Sequence, residues 1–306
     1  MLTGTAFLTT DEPVSMLGEK RLRGRDVERP YRGVRAVGLD RAAVMGRCQT
    51  YEPRMSTSEF FSHVTAAQLY RMPLPSHVEN ATTLHVSTFR SVARPRVREV
   101  VGHRLSAGAV GTQFHRGFVV ADPVSTWCHL ASVLSVDDLI AVGDFIVSGR
   151  VTDYRREPPL ASLAELHAGA KRFAGLRSAR RRSEAIACVR TGVDSRPESL
   201  LRMLLVRSGL PEPAVNEETF DDRGNRLGKP DLTYEWARTV FEYEGDGHRT
   251  DKKRFRRDIF RRELFEDADW RVIRVISDDL FVDSAAFIRR TRRTLERRAA
   301  DLASGQ

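Results

Sequence analysis

Apolar residues recur at helical spacing in EFFSHVTAAQLY, residues 59–70, and Pro73 and Pro75 close the segment, so one helix is expected there. TTLHVS (82–87), VREVVGH (97–103) and GFVVA (117–121) alternate with period two or run apolar, and read as short strands. Asp122 followed by Pro123 is an N-cap with proline at the first helical position, opening DPVSTWCHLASVL. A second helix follows from Ser135 to about Val147, with Asp137 and Asp138 in its first turn. Upstream, residues 16–37 read as a short basic helix running into an extended YRGVRAV segment, either a winged-helix fragment or a solvated basic loop.

DYRREPP (153–159) breaks the pattern, and a basic helical stretch resumes over 160–191. From Asp194 the alternation changes again. DSRPESLLRMLLVRSGL is a capped helix stopped by Gly209 and Pro211. AVNEETF is a strand, DDRGNRLG a hairpin turn, and KPDLTY the return strand with Asp231 inside it. RTVFEYEG is a third strand, residues 251–267 a long basic helix, WRVIRVI a fourth strand, and 283–300 a final amphipathic helix. The predicted order is α-β-β-β-α-β-α.

Composition adds a core and a charge. The 306 residues are 41% hydrophobic, enough for two packed domains. The formal net charge is +9, and Arg far outnumbers Lys. Guanidinium groups suit phosphate, although a codon bias toward Arg produces the same excess. Cys48, Cys128 and Cys188 are odd in number and far apart, which fits a reducing compartment and excludes a cysteine zinc site of ordinary spacing. No charged-then-apolar leader and no apolar run of about 20 residues is present, so the expectation is a cytoplasmic protein without a membrane partner.

The chemistry concentrates late in the chain. Glu242 and Glu244 lie two apart on an apolar strand and therefore share a face. Burying both is costly unless a cation or hydrogen bonds compensate. Mg²⁺ and Mn²⁺ take oxygen ligands, and Asp231 on a neighbouring strand supplies a third carboxylate, with Glu198 a fourth, direct or through water. Gly245-Asp246-Gly247-His248 follows at once, and His248 is suited to general acid or base work. Arg249, Lys253, Arg254 and Arg257 then stand in a dense cationic run that suits a phosphodiester backbone. Each feature alone also fits a solvated strand edge, a turn-capping histidine or a surface helix; the joint order favours the metal site.

PDLTY, VFEYEGDGHR and FRRDIFRRELFEDADWRVIRVISDDL, in that order, resemble the DUF559 family, which looks like the very-short-patch-repair (Vsr-like) branch of the PD-(D/E)xK endonuclease superfamily. The resemblance covers about 194–300 and implies a restriction-endonuclease-like αβββαβ core. It implies that Asp231, after Pro230, is the motif aspartate, that Glu242 and Glu244 occupy the (D/E)-x-K strand, and that His248 and Glu198 are the histidine after the glycine turn and the first-helix carboxylate. The lysine position holds Glu244, with His248, Lys252 or Lys229 left to compensate. The repair enzymes' Cys/His zinc site has no counterpart. PYRGVRAV, SHVTAAQLYRMPLP and DPVSTWCHLAS are similar to stretches of actinobacterial proteins that join a DUF559 domain to a type IV (abortive-infection) antitoxin-like region, whose winged helix is shortened here.

The expectation is thus an α/β (α+β) chain in three stretches: an antitoxin-like mixed α/β domain over 1–152, a basic helical connector over 153–193, and a nuclease domain over 194–306. The leading activity is Mg²⁺- or Mn²⁺-dependent endonuclease action on DNA. The rival is a DNA-binding regulator or antitoxin-like protein with an inactive nuclease-like domain, and RNA processing is a third reading.

Overall fold

The computed structural model describes residues 3–10, 22–152, 155–245 and 252–305, with side chains from 260 onward in the last stretch. The chain is mixed α/β and divides into two compact units, Met1–Val142 with Ala164–Ala187, and Gly143–Leu163 with Cys188–Gln306. Residues 153–193, expected as one connector, are shared between them. Among the described residues no helix is long and apolar enough to cross a membrane.

The first unit starts with an antiparallel pair, β1 (Thr5–Leu8) and β2 (Val34–Val37), followed by α1 (Val44–Tyr51). Its main sheet is built from β3 (Phe60–Phe61), β4 (Leu84–Phe89), β5 (Val100–Leu105), β6 (Thr112–His115) and β7 (Phe118–Ala121), in the order β5-β4-β3-β7-β6. Helices α2 (His63–Leu69), α3 (Ser76–Glu79) and α4 (Pro123–Leu130) belong to the same unit, while α5 (Val136–Ser148) crosses the division. Asp122 caps α4 by accepting from the Ser125 amide, as the Asp-Pro signal predicts. One expectation fails here. Residues 59–70 are not one helix: Phe60 and Phe61 are fully buried and pair with Ser87 and Val86, so the aromatic pair enters the sheet before the helix starts at His63. Tertiary burial on both faces outweighs helical periodicity over so short a run.

The predicted helix over 160–191 is interrupted, forming α6 (Leu163–Arg172) and α7 (Ala179–Cys188). In the second unit, α8 (Arg196–Arg207) is capped by Ser195, whose side chain accepts from the Glu198 amide. AVNEETF splits into β8 (Ala214–Val215) and β9 (Thr219–Phe220), with Asn216 between them in a left-handed conformation, φ 51°. β9 forms the hairpin with β10 (Arg226–Gly228), so the return strand of that hairpin is not KPDLTY. Asp231 stands immediately before β11 (Leu232–Tyr234) rather than inside it. After β12 (Thr239–Tyr243) come α9 (Lys252–Asp267), β13 (Arg271–Val275), α10 (Ser277–Phe281) and α11 (Ser284–Ser304).

The sheet of this unit runs β13-β12-β11-β8, with β8–β11 and β11–β12 antiparallel and β12–β13 parallel. Its two faces are both packed. Leu201 and Leu205 of α8 and Phe287 and Leu295 of α11 cover Tyr234 and Phe241 on one side. Phe265 of α9, with Trp270 and Leu227, covers Val240 on the other. Each such side chain contributes about 1.5–3 kcal/mol by leaving water. Alternation along β12 then turns Glu242 toward the α9 side, where the sheet ends.

Candidate functional site

The acidic residues expected to act together stand at that sheet end. Leu232 is in register with Phe241 on the antiparallel β11–β12 pair, which brings Asp231 beside the end of β12. The Tyr243 amide donates to Asp231 Oδ2 at 2.7 Å. Burial first, and then the charge of Glu242, push the Asp231 carboxyl up to about 7, against the pull of the Tyr243 amide and Arg261. Glu198, in the first turn of α8, is buried, and its Oε2 accepts from the Asp194 amide at 2.9 Å and from Asn216 Nδ2 at 2.6 Å. Burial, followed by the charge of Asp231, pushes the Glu198 carboxyl up to about 7 as well. The rise of both acids shows anionic charge held out of water with too little compensation.

Glu242 has a cation of its own. Arg261 Nη2 on α9 donates to Glu242 Oε1 at 2.7 Å and also to the Lys229 carbonyl. Gly228 makes that approach practicable: at φ 151° it carries no Cβ, and one built there would stand 3.0 Å from Arg261 Nε. Lys229 Nζ lies 3.9 Å from Asp194 Oδ2, and Asp194 in turn contributes to the field at Asp231. Lys229 is therefore the described lysine that belongs to this acidic group.

Glu244 is engaged elsewhere. It forms an ion pair with Arg274 of β13, next to the register pair Glu242–Arg274. The structure thus joins Asp231, Glu242 and Glu198 through their fields, and gives Glu244 a separate partner. His248 and Arg249 lie outside the described residues, and Lys253, Arg254 and Arg257 are described only as backbone of α9.

The donor set of Asp231, Glu242 and Glu198 is all oxygen, which is what Mg²⁺ and Mn²⁺ take, and a divalent cation removes the repulsion that raises two of these acids. Their oxygens do not meet as closely as one other cluster does. Among the described residues, only His63, His85 and His103 bring three ligand atoms within 4.8 Å of one another. Sequence reasoning missed them, since tens of residues separate each from the next and no spacing motif links them. The one available signal is that six of the eight histidines fall within residues 63–129.

Compared with known proteins, the chain matches no family model, no curated protein and no solved structure.

Proposed function

We propose that residues 194–305 carry a metal-dependent endonuclease centre of the PD-(D/E)xK, Vsr-like kind, acting on DNA. The observation behind this reading is the buried Asp231 carboxyl, just before β11 and raised further by the charge of Glu242 on β12, with Glu198 raised in turn by the charge of Asp231. Helix α8, strands β8, β11 and β12, helix α9 and strand β13, with the β9–β10 hairpin inserted between β8 and β11, support this reading of an αβββαβ core. Asp231 and Glu242 would hold Mg²⁺ or Mn²⁺, with Glu198 supporting the ion or its water. When bound, the ion polarises a phosphoryl oxygen and eases deprotonation of water.

The chain's own groups do the rest. Glu198, whose carboxyl is raised by burial and by the charge of Asp231, would serve as the base for the ion's water. Lys229 supplies the ammonium that Glu244 replaces at the motif position, and His248 is a second candidate for acid–base work. The Arg- and Lys-rich α9 follows the acidic group directly in sequence, and its Arg254 and Arg257, with Arg249 and Lys253, would hold phosphates.

A second reading, a DNA-binding regulator of antitoxin type that no longer cleaves, draws on Arg261 and Glu244. A guanidinium already neutralises Glu242, and the lysine position is an acid paired with Arg274. Incubating the protein with supercoiled plasmid, single strands, mismatched duplex and matched RNA, in Mg²⁺, Mn²⁺ or EDTA, separates the two. Metal-dependent nicking supports the nuclease. Retarded migration of DNA with no cleavage of any substrate supports the regulator.

A further inference from the structure

The first unit contains a second ligand cluster, independent of the acidic group. His63 opens α2, His85 lies on β4, His103 on β5 and His129 at the end of α4. Ser87 and His103 are in register on the parallel β4–β5 pair, so His85 and His103 are diagonal neighbours on one face. Their Nδ1 and Nε2 atoms stand 3.0 Å apart. His63 stacks over His103 with ring centroids 3.7 Å apart and over His129 at 4.3 Å. Ser62 Oγ lies 2.9 Å from His63 Nδ1 and 2.6 Å from Ser87 Oγ.

Packing does not account for this gathering. Four imidazoles in contact bring eight ring nitrogens into a largely dry space, where polar atoms need partners. His129 is only 7% exposed, and neither of its ring nitrogens has a hydrogen-bond partner among the described residues. His63 is held at φ 49°, a left-handed backbone that strains a non-glycine residue. The His129 nitrogens show a polar demand in this space that the described residues do not meet.

We propose that His63, His85 and His103 bind a divalent transition ion of the zinc class through imidazole nitrogens, with a fourth position open to water. Three ligand atoms within 4.8 Å of one another are near the separation such an ion requires. Zn–N bonds of about 2.0–2.1 Å at tetrahedral angles set neighbouring nitrogens about 3.4 Å apart. The 3.0 Å His85–His103 contact is a hydrogen-bonding distance a few tenths of an ångström short of one edge of that tetrahedron, so metal binding would part these two rings slightly and turn the His63 ring out of its stack on His103. The all-nitrogen donor set favours zinc, nickel or copper over magnesium or calcium. His63 is buried whereas His85 and His103 are half-buried, so the open position faces the wetter side. The Ser62 hydroxyl gives His63 the outer hydrogen bond that orients ligating imidazoles.

Co²⁺ titration of the chelator-treated full-length protein tests this. The wild type is expected to develop the strong visible bands of four-coordinate cobalt with one equivalent, displaced by Zn²⁺, whereas cobalt held by the all-oxygen acidic group adds only weak bands. The Asp231→Asn/Glu242→Gln protein should keep these bands and His85→Ala should lose them. His103→Cys should add a near-ultraviolet thiolate-to-cobalt band, a signature that a merely structural histidine does not produce. A folded wild type showing only weak octahedral bands, unchanged bands in His85→Ala, or a folded His103→Cys protein without the new band would overturn the assignment.

Discussion

Arg261 Nη2 sits 2.7 Å from Glu242 Oε1, so an arginine from α9 occupies the charge of the acid that faces Asp231. This guanidinium, together with the Tyr243 amide that donates to Asp231, offsets the repulsion between Glu242 and Asp231. Arg261→Ala is expected to cost about 1.5–3 kcal/mol, the range for a charge-assisted hydrogen bond whose loss leaves an acid uncompensated. Mn²⁺ should restore part of that loss, because it substitutes for the missing charge. Urea unfolding of both proteins, in EDTA and in Mn²⁺, measures it; a loss of the same size with and without metal would show that the ion does not reach Glu242.

The raised acids predict a pH dependence with a definite sign. Asp231 and Glu198 titrate at about 7 in the folded chain, against about 4 when unfolded. Between those values the folded chain binds more protons, so stability is greatest below about pH 4 as far as these groups are concerned, and falls as pH rises to about 7. Asp231→Asn should flatten the slope in EDTA, as should saturating Mn²⁺ in the wild type. Denaturation curves taken from pH 5 to about pH 8 report the slopes directly.

Much of the second unit was legible because its signals are local. The Ser195 cap, the turn at Asp221–Asn225 and the alternation of Val240, Phe241 and Glu242 are all set by neighbours in sequence. The misplacement of Asp231 arose from a non-local cause: β9 and β10 form their own hairpin, leaving Asp231 to begin the next strand. The pairing of Glu244 with Arg274 was equally hidden, since it depends on the parallel register of β12 and β13. Phe60 and Phe61 read as helix because burial on both sides has no period. The histidine cluster left no trace beyond its crowding, as four separate elements contribute one ring each.

Arg202 supplies a stability test outside the acidic group. Its guanidinium is 1% exposed and meets Asp144 at 3.0 Å, Glu212 at 2.9 Å and the Cys188 carbonyl at 2.8 Å. Asp144, equally buried, also accepts from Ser199 Oγ and the Arg190 amide. Removing one partner leaves a buried charge unpaired, so Arg202→Ala should cost about 3–5 kcal/mol. The double change Arg202→Met/Asp144→Leu should cost clearly less. Chemical denaturation of the three proteins would contradict this if the single variant were the milder one.

Lys229 and Glu244 are expected to differ in their effects on cleavage. Lys229 stands 3.9 Å from Asp194 beside the acidic group, and Glu244 is turned to Arg274. Lys229→Met should reduce nicking by about a hundredfold, the lower end for losing a positioned proton-transfer or charge-stabilising group. Glu244→Gln should reduce it far less. Nicking rates at saturating Mn²⁺ decide the order, and the reverse order would assign the missing lysine's role to Glu244.

The most direct test of the nuclease centre is the single-turnover rate of plasmid nicking in Mn²⁺ by wild type and by Asp231→Asn, which keeps the shape of the side chain and removes its charge. A nuclease centre at Asp231 gives metal-dependent nicking by the wild type and a loss of at least about a thousandfold in the variant, with DNA binding and folding retained. Nicking that survives Asp231→Asn unchanged would contradict it.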